Sequence, residues 1–208
     1  LQRLGVPFID LYLLHWRGSV PLQETVNAFN FLISAGKIRH FGVSNFDLND
    51  MREWYGCESS RELATNQILY NLSRRGTEWD VIPFCRERGT PVIAYSPLEQ
   101  GRLEVNPTLS EIAARHGVTS LQIALAWVLS QEDVIAIPKS ANHEHIDQNI
   151  ASLDITLDPE DHAQRHDGVS EYPSSAHVSV PGNPSSVEHP LRLPWLRSSL
   201  GVAGGREV

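Results

Sequence analysis

The chain has 208 residues, 41% of them hydrophobic, and a formal charge of −8 at pH 7. This length allows one domain with a substantial core, and the negative charge argues against nucleic acid as a partner, because phosphate backbones are bound by basic surfaces. No apolar run approaches the roughly 20 residues of a membrane-spanning helix. The first residues do not resemble a signal peptide, and Cys57 and Cys85 belong to no metal-binding motif. We therefore expect a cytoplasmic protein with reduced thiols and no membrane association.

Five short apolar segments predict β-strands, and each is followed by a helical pattern. The strands are predicted over residues 8–14, 38–43, 64–69, 91–95 and 134–137. A helix is predicted over residues 22–35, because apolar side chains recur there at helical spacing. Its apolar stripe consists of Leu22, Val26, Phe29, Leu32 and Ile33. A later helix, residues 121–129, is apolar nearly all round, which predicts that it is buried.

Small polar residues mark the predicted helix starts, because their side chains accept hydrogen bonds from the free amides of a first turn. These residues are Asp47, Thr77, Thr108, Thr119 and Asn142. Two of them have the spacing of a capping box, in which a Glu or Gln follows three residues later. The two pairs are Thr108 with Glu111 and Thr119 with Gln122.

The alternation of strands and helices predicts a parallel α/β sheet covered by helices. A doubly wound sheet usually carries a glycine-rich phosphate loop after its first strand, and Gly42-Val43-Ser44 is no such loop. A (β/α)8 barrel fits better, although a closed barrel needs eight strands and five are counted. Residues 1–5 resemble the last turn of a helix that ends at Gly5. We therefore expect a partial TIM barrel that lacks its first three strand–helix units.

The composition changes near residue 161. Gly, Pro, Ser and His dominate the remaining sequence, and apolar periodicity is lost. Such a segment buries too little apolar surface to offset the entropy cost of ordering it. We therefore divide the chain into a partial barrel, residues 1–160, and a low-complexity tail, residues 161–208, that we expect to be disordered.

Two further signals are interpreted as incidental. His143 and His145 alternate, and His162 and His166 lie one helical turn apart, but neither pair has a third ligand at a credible spacing, so no metal site is expected. Asn71-Leu72-Ser73 fits a glycosylation sequon. Without a secretion signal, we do not expect this asparagine to be glycosylated.

Polar or aromatic residues stand at the carboxyl end of every predicted strand. They are His15, Ser44-Asn45, Asn66-Gln67, Tyr95 and Lys139. In parallel α/β folds these strand ends share one rim, where ligands bind. The sequence therefore predicts a ligand site assembled from dispersed strand ends.

Short motifs in the same segments resemble those of the aldo-keto reductases, within residues 1–160. The motifs are Asp10-Leu11-Tyr12-Leu13-Leu14-His15-Trp16, Gly36-Lys37-Ile38-Arg39, Gly42-Val43-Ser44-Asn45-Phe46, Asn66-Gln67, Ala94-Tyr95-Ser96-Pro97-Leu98 and Ile137-Pro138-Lys139-Ser140. The chain is most similar to the bacterial branch that includes methylglyoxal reductases. The resemblance implies a (β/α)8 barrel in which NADPH reduces a small aldehyde or ketone to an alcohol.

The resemblance also implies residue roles around the nicotinamide. His15 matches the catalytic histidine that hydrogen-bonds the substrate carbonyl. Ser44, Asn45 and Gln67 match the residues that hold the carboxamide, a group whose donors and acceptor suit such side chains. Tyr95 matches the aromatic ring that stacks on the nicotinamide, for which a flat platform is needed.

The remaining implied contacts lie along the phosphates and the adenine. A phosphate favours a cation and the amides of a helix N-terminus, which the helix after Lys139 supplies. The implied pyrophosphate residues are Ser96, Leu98 and Gly101. Those implied for the 2′-phosphate are Lys139 and Ser140, and those near the adenine are Gln148 and Asn149.

Two departures from the family pattern leave alternatives open. Many members carry a phosphate-binding arginine where this chain has His145, so NADH joins NADPH as a candidate cofactor. The family's catalytic Asp, Tyr and Lys lie on the three strands that this sequence lacks, and Tyr12 cannot replace the tyrosine, because strand alternation points it away from His15. The alternative is a non-catalytic remnant that binds a nucleotide or a partner. Open barrel edges would also favour self-association.

Overall fold

The computed structural model describes residues 1–162, so nearly all of the predicted 161–208 tail, including His166, lies outside the described residues. Five parallel strands form one sheet in chain order. The strands are β1 (Ile9–Leu14), β2 (Ile38–Ser44), β3 (Asn66–Leu69), β4 (Val92–Tyr95) and β5 (Val134–Ala136). The α/β alternation and the partial barrel expected from the sequence are confirmed.

Six α-helices connect or follow these strands in the part of the chain that the structure describes. They are α1 (Leu22–Ser34), α2 (Leu48–Gly56), α3 (Val81–Glu87), α4 (Pro107–His116), α5 (Ser120–Leu129) and α6 (His143–Ala151). Short 3₁₀ turns occupy Gln2–Leu4, Gly76–Glu78, Glu99–Val105 and Ser152–Asp154. One helix therefore follows each strand, except that both α4 and α5 lie between β4 and β5.

One face of the sheet packs against the helices and forms the core. Val43, Asn66 and Val92 are paired across β2, β3 and β4 and are all buried. On the same face, the Phe41 ring stacks on Phe29 of α1, with centroids 4.8 Å apart. Tyr12 also meets Phe29 edge-on, at 6.1 Å, so it faces the helices as strand alternation predicts.

The opposite face of the sheet carries exposed apolar side chains. Leu11, Ile135 and Ile137 are 38%, 41% and 43% exposed. Ile135 is paired through Ile93 with Gln67, so these side chains share a face with the predicted site residues. We call this surface the inner face, because it would line the interior of a closed barrel.

Three of the predicted helix starts are confirmed. Asp47 and Thr119 each form a capping box, with Asp50 and Gln122 respectively. The Asn142 side chain accepts a hydrogen bond from the first turn of α6. The predicted burial of the apolar helix is also confirmed, since nearly every residue of α5 is buried.

The other two predicted starts are wrong, and proline explains both. Asn106, not Thr108, caps α4, because Pro107 takes the first helical position, where its missing N–H costs nothing. Asp80, not Thr77, caps α3. A helix that began at Thr77 would place Pro83 in its interior, where the ring clashes with a carbonyl of the preceding turn.

None of the six helices is, by itself, long and apolar enough to cross a membrane. Among the described residues, α4 and α5 reach that length and composition only as a pair, and the pair is bent by 87°.

Candidate functional site

A chain of hydrogen bonds joins three strand ends at one rim of the sheet. The Tyr95 hydroxyl donates to the Asn45 amide oxygen at 2.9 Å. The Asn45 side-chain nitrogen donates in turn to the backbone carbonyl of His15 at 3.2 Å. The structure therefore brings together residues that follow or end β1, β2 and β4.

The backbone conformation of Asn45 allows its side chain to make both of these hydrogen bonds. Its φ is +59°, a left-handed conformation that asparagine tolerates better than most residues. The Asn45 backbone N–H donates to the carbonyl of Gln67 at 2.9 Å, which fixes the turn to the neighbouring strand. The turn holds the Asn45 side chain over the rim.

Ser44 and Gln67 lie side by side on the inner face. They are paired across β2 and β3, so their side chains point the same way. Ser44 is buried and Gln67 is half-buried. The Gln67 amide has no side-chain hydrogen-bond partner among the described residues, which leaves its donors and its acceptor available to a ligand.

His15 is exposed just beyond the end of β1. Its ring lies 5.8 Å from the ring of Trp16, which is itself largely exposed. Two residues further on, the Arg17 guanidinium donates to Asp50 and, at 2.8 Å, to Glu53 of α2. Hydrogen bonds to Glu53 and Asp50 raise the pKa of Arg17 further, so this cation stays charged. Arg17, which the sequence analysis did not select, therefore ties the His15 segment to α2.

The segment after Tyr95 has an unusual backbone. Ser96, Glu99 and Gln100 have φ values of +50°, +45° and +58°, and Gly101 follows at +85°. Left-handed conformations are costly for residues other than glycine. We call residues 96–101 the rim loop; it contains Ser96, Leu98 and Gly101, the three predicted pyrophosphate residues.

Asn71, Arg74 and Glu99 support the rim loop, and the sequence analysis missed all three in this role. The Asn71 amide donates to the Ser96 carbonyl at 2.9 Å and to the Glu99 carboxylate at 2.7 Å. Arg74 donates to the same carboxylate at 3.1 Å. The signal that could have found Asn71 is its place beyond the end of β3, like Asn45 beyond β2. The Asn71 side chain is buried and its amide is hydrogen-bonded, so the amide of this sequon is not accessible for glycosylation in the folded chain.

The predicted phosphate and adenine residues form a separate group. Lys139 is exposed in the loop after β5. The Ser140 hydroxyl accepts from the backbone N–H of Asn142 at 3.0 Å, and Gln148 and Asn149 are half-buried on α6. In residues 1–162 no hydrogen bond joins this group to the one at His15 and Tyr95. No group of three or more His, Cys, Asp or Glu side chains in that range could hold a metal ion.

Comparison with known proteins decides the family. The family model for the aldo/keto reductase family matches residues 1–167. The chain belongs to the aldo/keto reductase family. The resemblance found in the sequence motifs is thereby confirmed.

Similar proteins include two bacterial enzymes of Escherichia coli. The methylglyoxal reductase YeaE is 48% identical over 162 residues, which are 76% of this chain and 57% of that protein. An NADH-specific methylglyoxal reductase is 35% identical, with 77% of this chain and 59% of that protein covered. The chain thus spans under two thirds of the length of these relatives.

A solved structure is also similar. An aldo/keto reductase from Klebsiella pneumoniae, crystallised in complex with NADP and acetate, has a TM-score of 0.80 and 42% identity. The match covers 86% of this chain and 65% of that one. The same barrel architecture therefore extends over most of the described residues.

Proposed function

We propose that this chain forms the cofactor-binding part of an NAD(P)H-dependent reductase that converts a small aldehyde or ketone to an alcohol. The observation that carries the proposal is the hydrogen-bonded rim of His15, Asn45 and Tyr95. Relatives named for methylglyoxal and glyoxal reduction support this substrate class. Methylglyoxal is therefore the first substrate to test.

The residues at the rim fit a nicotinamide nucleotide chemically. Gln67 has a free amide, and Asn45 keeps one N–H and one lone pair beyond the bonds already described. Tyr95 presents an aromatic ring at the end of β4, a suitable platform for a flat heterocycle. When bound, the cofactor supplies a hydride to the carbonyl carbon.

His15 is proposed to orient the substrate. Its imidazole is exposed at the rim, so an N–H can donate to a carbonyl oxygen and polarise it. The protein must also provide a proton to that oxygen as the alcohol forms. We propose that this acid lies outside the five described strands, because Tyr12 faces the helices and the Tyr95 hydroxyl donates to Asn45.

Lys139 and Ser140 favour NADPH over NADH. The Lys139 ammonium is exposed and has no ion-pair partner among the described residues, so it is available to a 2′-phosphate. It precedes α6, whose N-terminal amides add a favourable dipole. The expected preference is moderate, because His145 stands where the family commonly has an arginine.

Thermal unfolding of the 208-residue chain with NADPH, NADH and no ligand tests the proposal. A ligand present at 100 times its dissociation constant stabilises the folded state by about 2.7 kcal/mol. We expect NADPH to raise the melting temperature more than NADH at equal concentration. A melting temperature that neither nucleotide changes would contradict the proposal.

A second candidate function is that of a non-catalytic module that binds a nucleotide or a partner chain. The exposed inner face favours it, since apolar patches of this kind mark association surfaces. Self-association through this face or the edges at β1 and β5 predicts a mass in sedimentation that rises with protein concentration. Nucleotide binding without turnover of methylglyoxal would support this module over the reductase.

A further inference from the structure

We infer that Glu99 and Asn71 are positioning residues that hold the rim loop in the shape that receives the pyrophosphate of the cofactor. This inference rests on the proposed function. It concerns two residues whose polar atoms are committed to protein contacts, and which therefore act through the loop and not by touching the cofactor.

Asn71 is a fixed anchor. Its side chain is fully buried, and each of its polar atoms has partners. The nitrogen donates to the Ser96 carbonyl and to Glu99, while the oxygen accepts from the backbone N–H and the hydroxyl of Ser73, both at 2.9 Å. A fully satisfied buried amide has one favourable orientation, so it fixes whatever it binds.

Glu99 connects this anchor to the loop. One carboxylate oxygen accepts from Asn71, and the other accepts from Arg74 at 3.2 and 3.1 Å. The Arg102 guanidinium lies 3.8 Å from that second oxygen. These cations offset the negative charge of Glu99, which allows a carboxylate to stand in a loop that is proposed to face phosphates.

The backbone explains why the loop needs such support. Ser96, Glu99 and Gln100 are all left-handed, and each such conformation costs free energy that the surroundings must supply. Both Ser96 and Glu99 are held directly by Asn71. Loss of the Glu99 contacts would therefore let the loop relax from this left-handed backbone conformation.

The test compares Glu99→Gln with Glu104→Gln in the full chain. Both substitutions remove one negative charge from the same 3₁₀ segment, but Glu104 is exposed and makes none of these contacts. In Glu99→Gln, the new NH2 group must face Asn71 or Arg74, and both of these side chains donate at that position. Binding is measured by titration calorimetry with two probes, NADPH and adenosine 2′,5′-bisphosphate. The second probe lacks the pyrophosphate bridge, so the comparison separates the contribution of the rim loop to binding from that of the Lys139 region.

We expect Glu99→Gln to weaken NADPH binding about tenfold, the size of a lost charged hydrogen bond, and to leave adenosine 2′,5′-bisphosphate binding unchanged. Glu104→Gln should bind both probes like the unaltered chain. Amide hydrogen exchange of residues 98–105 without ligand should be faster in Glu99→Gln only.

Three results would overturn the inference. If Glu99→Gln and Glu104→Gln bind NADPH equally, the contacts of Glu99 do not matter. If Glu99→Gln weakens the binding of both probes equally, the substitution destabilises the protein in general. If the unaltered chain binds neither probe, the proposed function fails and this inference fails with it.

Discussion

The two faces of the sheet differ in what their side chains do. The helix side is closed over the central strands, with Val43, Val92 and Phe41 buried in one continuous core, whereas at the β1 edge Tyr12 is 44% exposed. The inner face leaves Leu11 and Ile135 partly exposed. It also carries Ser44 and Gln67. One sheet thus devotes one face to stability and the other to the rim site, because adjacent residues of a strand point in opposite directions.

Two isoleucine truncations test this comparison most strongly. Ile68→Ala removes a buried side chain that is 4% exposed, and Ile135→Ala removes one that is 41% exposed. We expect the first to lower the free energy of unfolding by about 2–5 kcal/mol, and the second by about 1–1.5 kcal/mol, because Ile135 is only partly buried. Urea denaturation measures both. Equal losses would show that the inner face is covered in solution.

A buried carboxylate adds polar contacts to the apolar packing among the helices. Asp161 is fully buried and accepts from Arg115 at 2.6 Å, and its other oxygen lies 2.8 Å from His116 Nε2. Burial alone would raise the pKa of Asp161, but hydrogen bonds from the Asp158 amide, His116 and Arg115 outweigh it and lower the pKa.

The lowered pKa determines the direction of the pH effect. The stabilisation from Asp161 is complete above the unfolded-state pKa of about 3.9 and is lost as the pH falls through the lower folded-state value. We expect Asp161→Asn to cost about 2 kcal/mol at pH 7, because charged hydrogen bonds are lost. The variant should also lose less stability than the parent between pH 5 and 3. Parallel pH curves for the two proteins would contradict this assignment.

The smallest expected effect separates the hydroxyl of Tyr95 from its ring. Tyr95→Phe keeps the aromatic platform and removes the hydrogen bond to Asn45. We expect a loss of about 1 kcal/mol or less in stability, the net value of one hydrogen bond. NADPH affinity should fall only slightly in Tyr95→Phe and much more in Tyr95→Ala, which also removes the ring. If both variants bound NADPH equally, the ring would have no stacking role.

The positions of strands and helices along the chain and three caps were predictable from the sequence because they depend on local patterns. Apolar periodicity identified the stripe of α1, and a capping box identified the start of α5 at Thr119. The failures at Thr77 and Thr108 are also local. In both cases a nearby proline decides which residue can cap the helix, whereas the prediction relied on the threonine alone.

The site was only partly predictable, for a physical reason. The sequence indicates which residues end strands, and parallel pairing brings those ends to one rim. It does not indicate which side chains bond across the rim: Tyr95 and Asn45 are 50 residues apart, and Asn71 and Glu99 are 28 apart. The sequence does not show whether an asparagine is buried or exposed. Asn71 was therefore noted only as part of a glycosylation sequon that we interpreted as incidental.

The sequence by itself therefore determined the family, the alternation of strands and helices, and the residues at the strand ends, because these depend on short-range patterns and motifs. The tertiary structure alone decided that Asn71 and Glu99 support the rim loop, that Asn45 links His15 to Tyr95, and that the inner face is the exposed one. Each of these depends on long-range pairing, which fixes the direction of a side chain only when neighbouring strands come together.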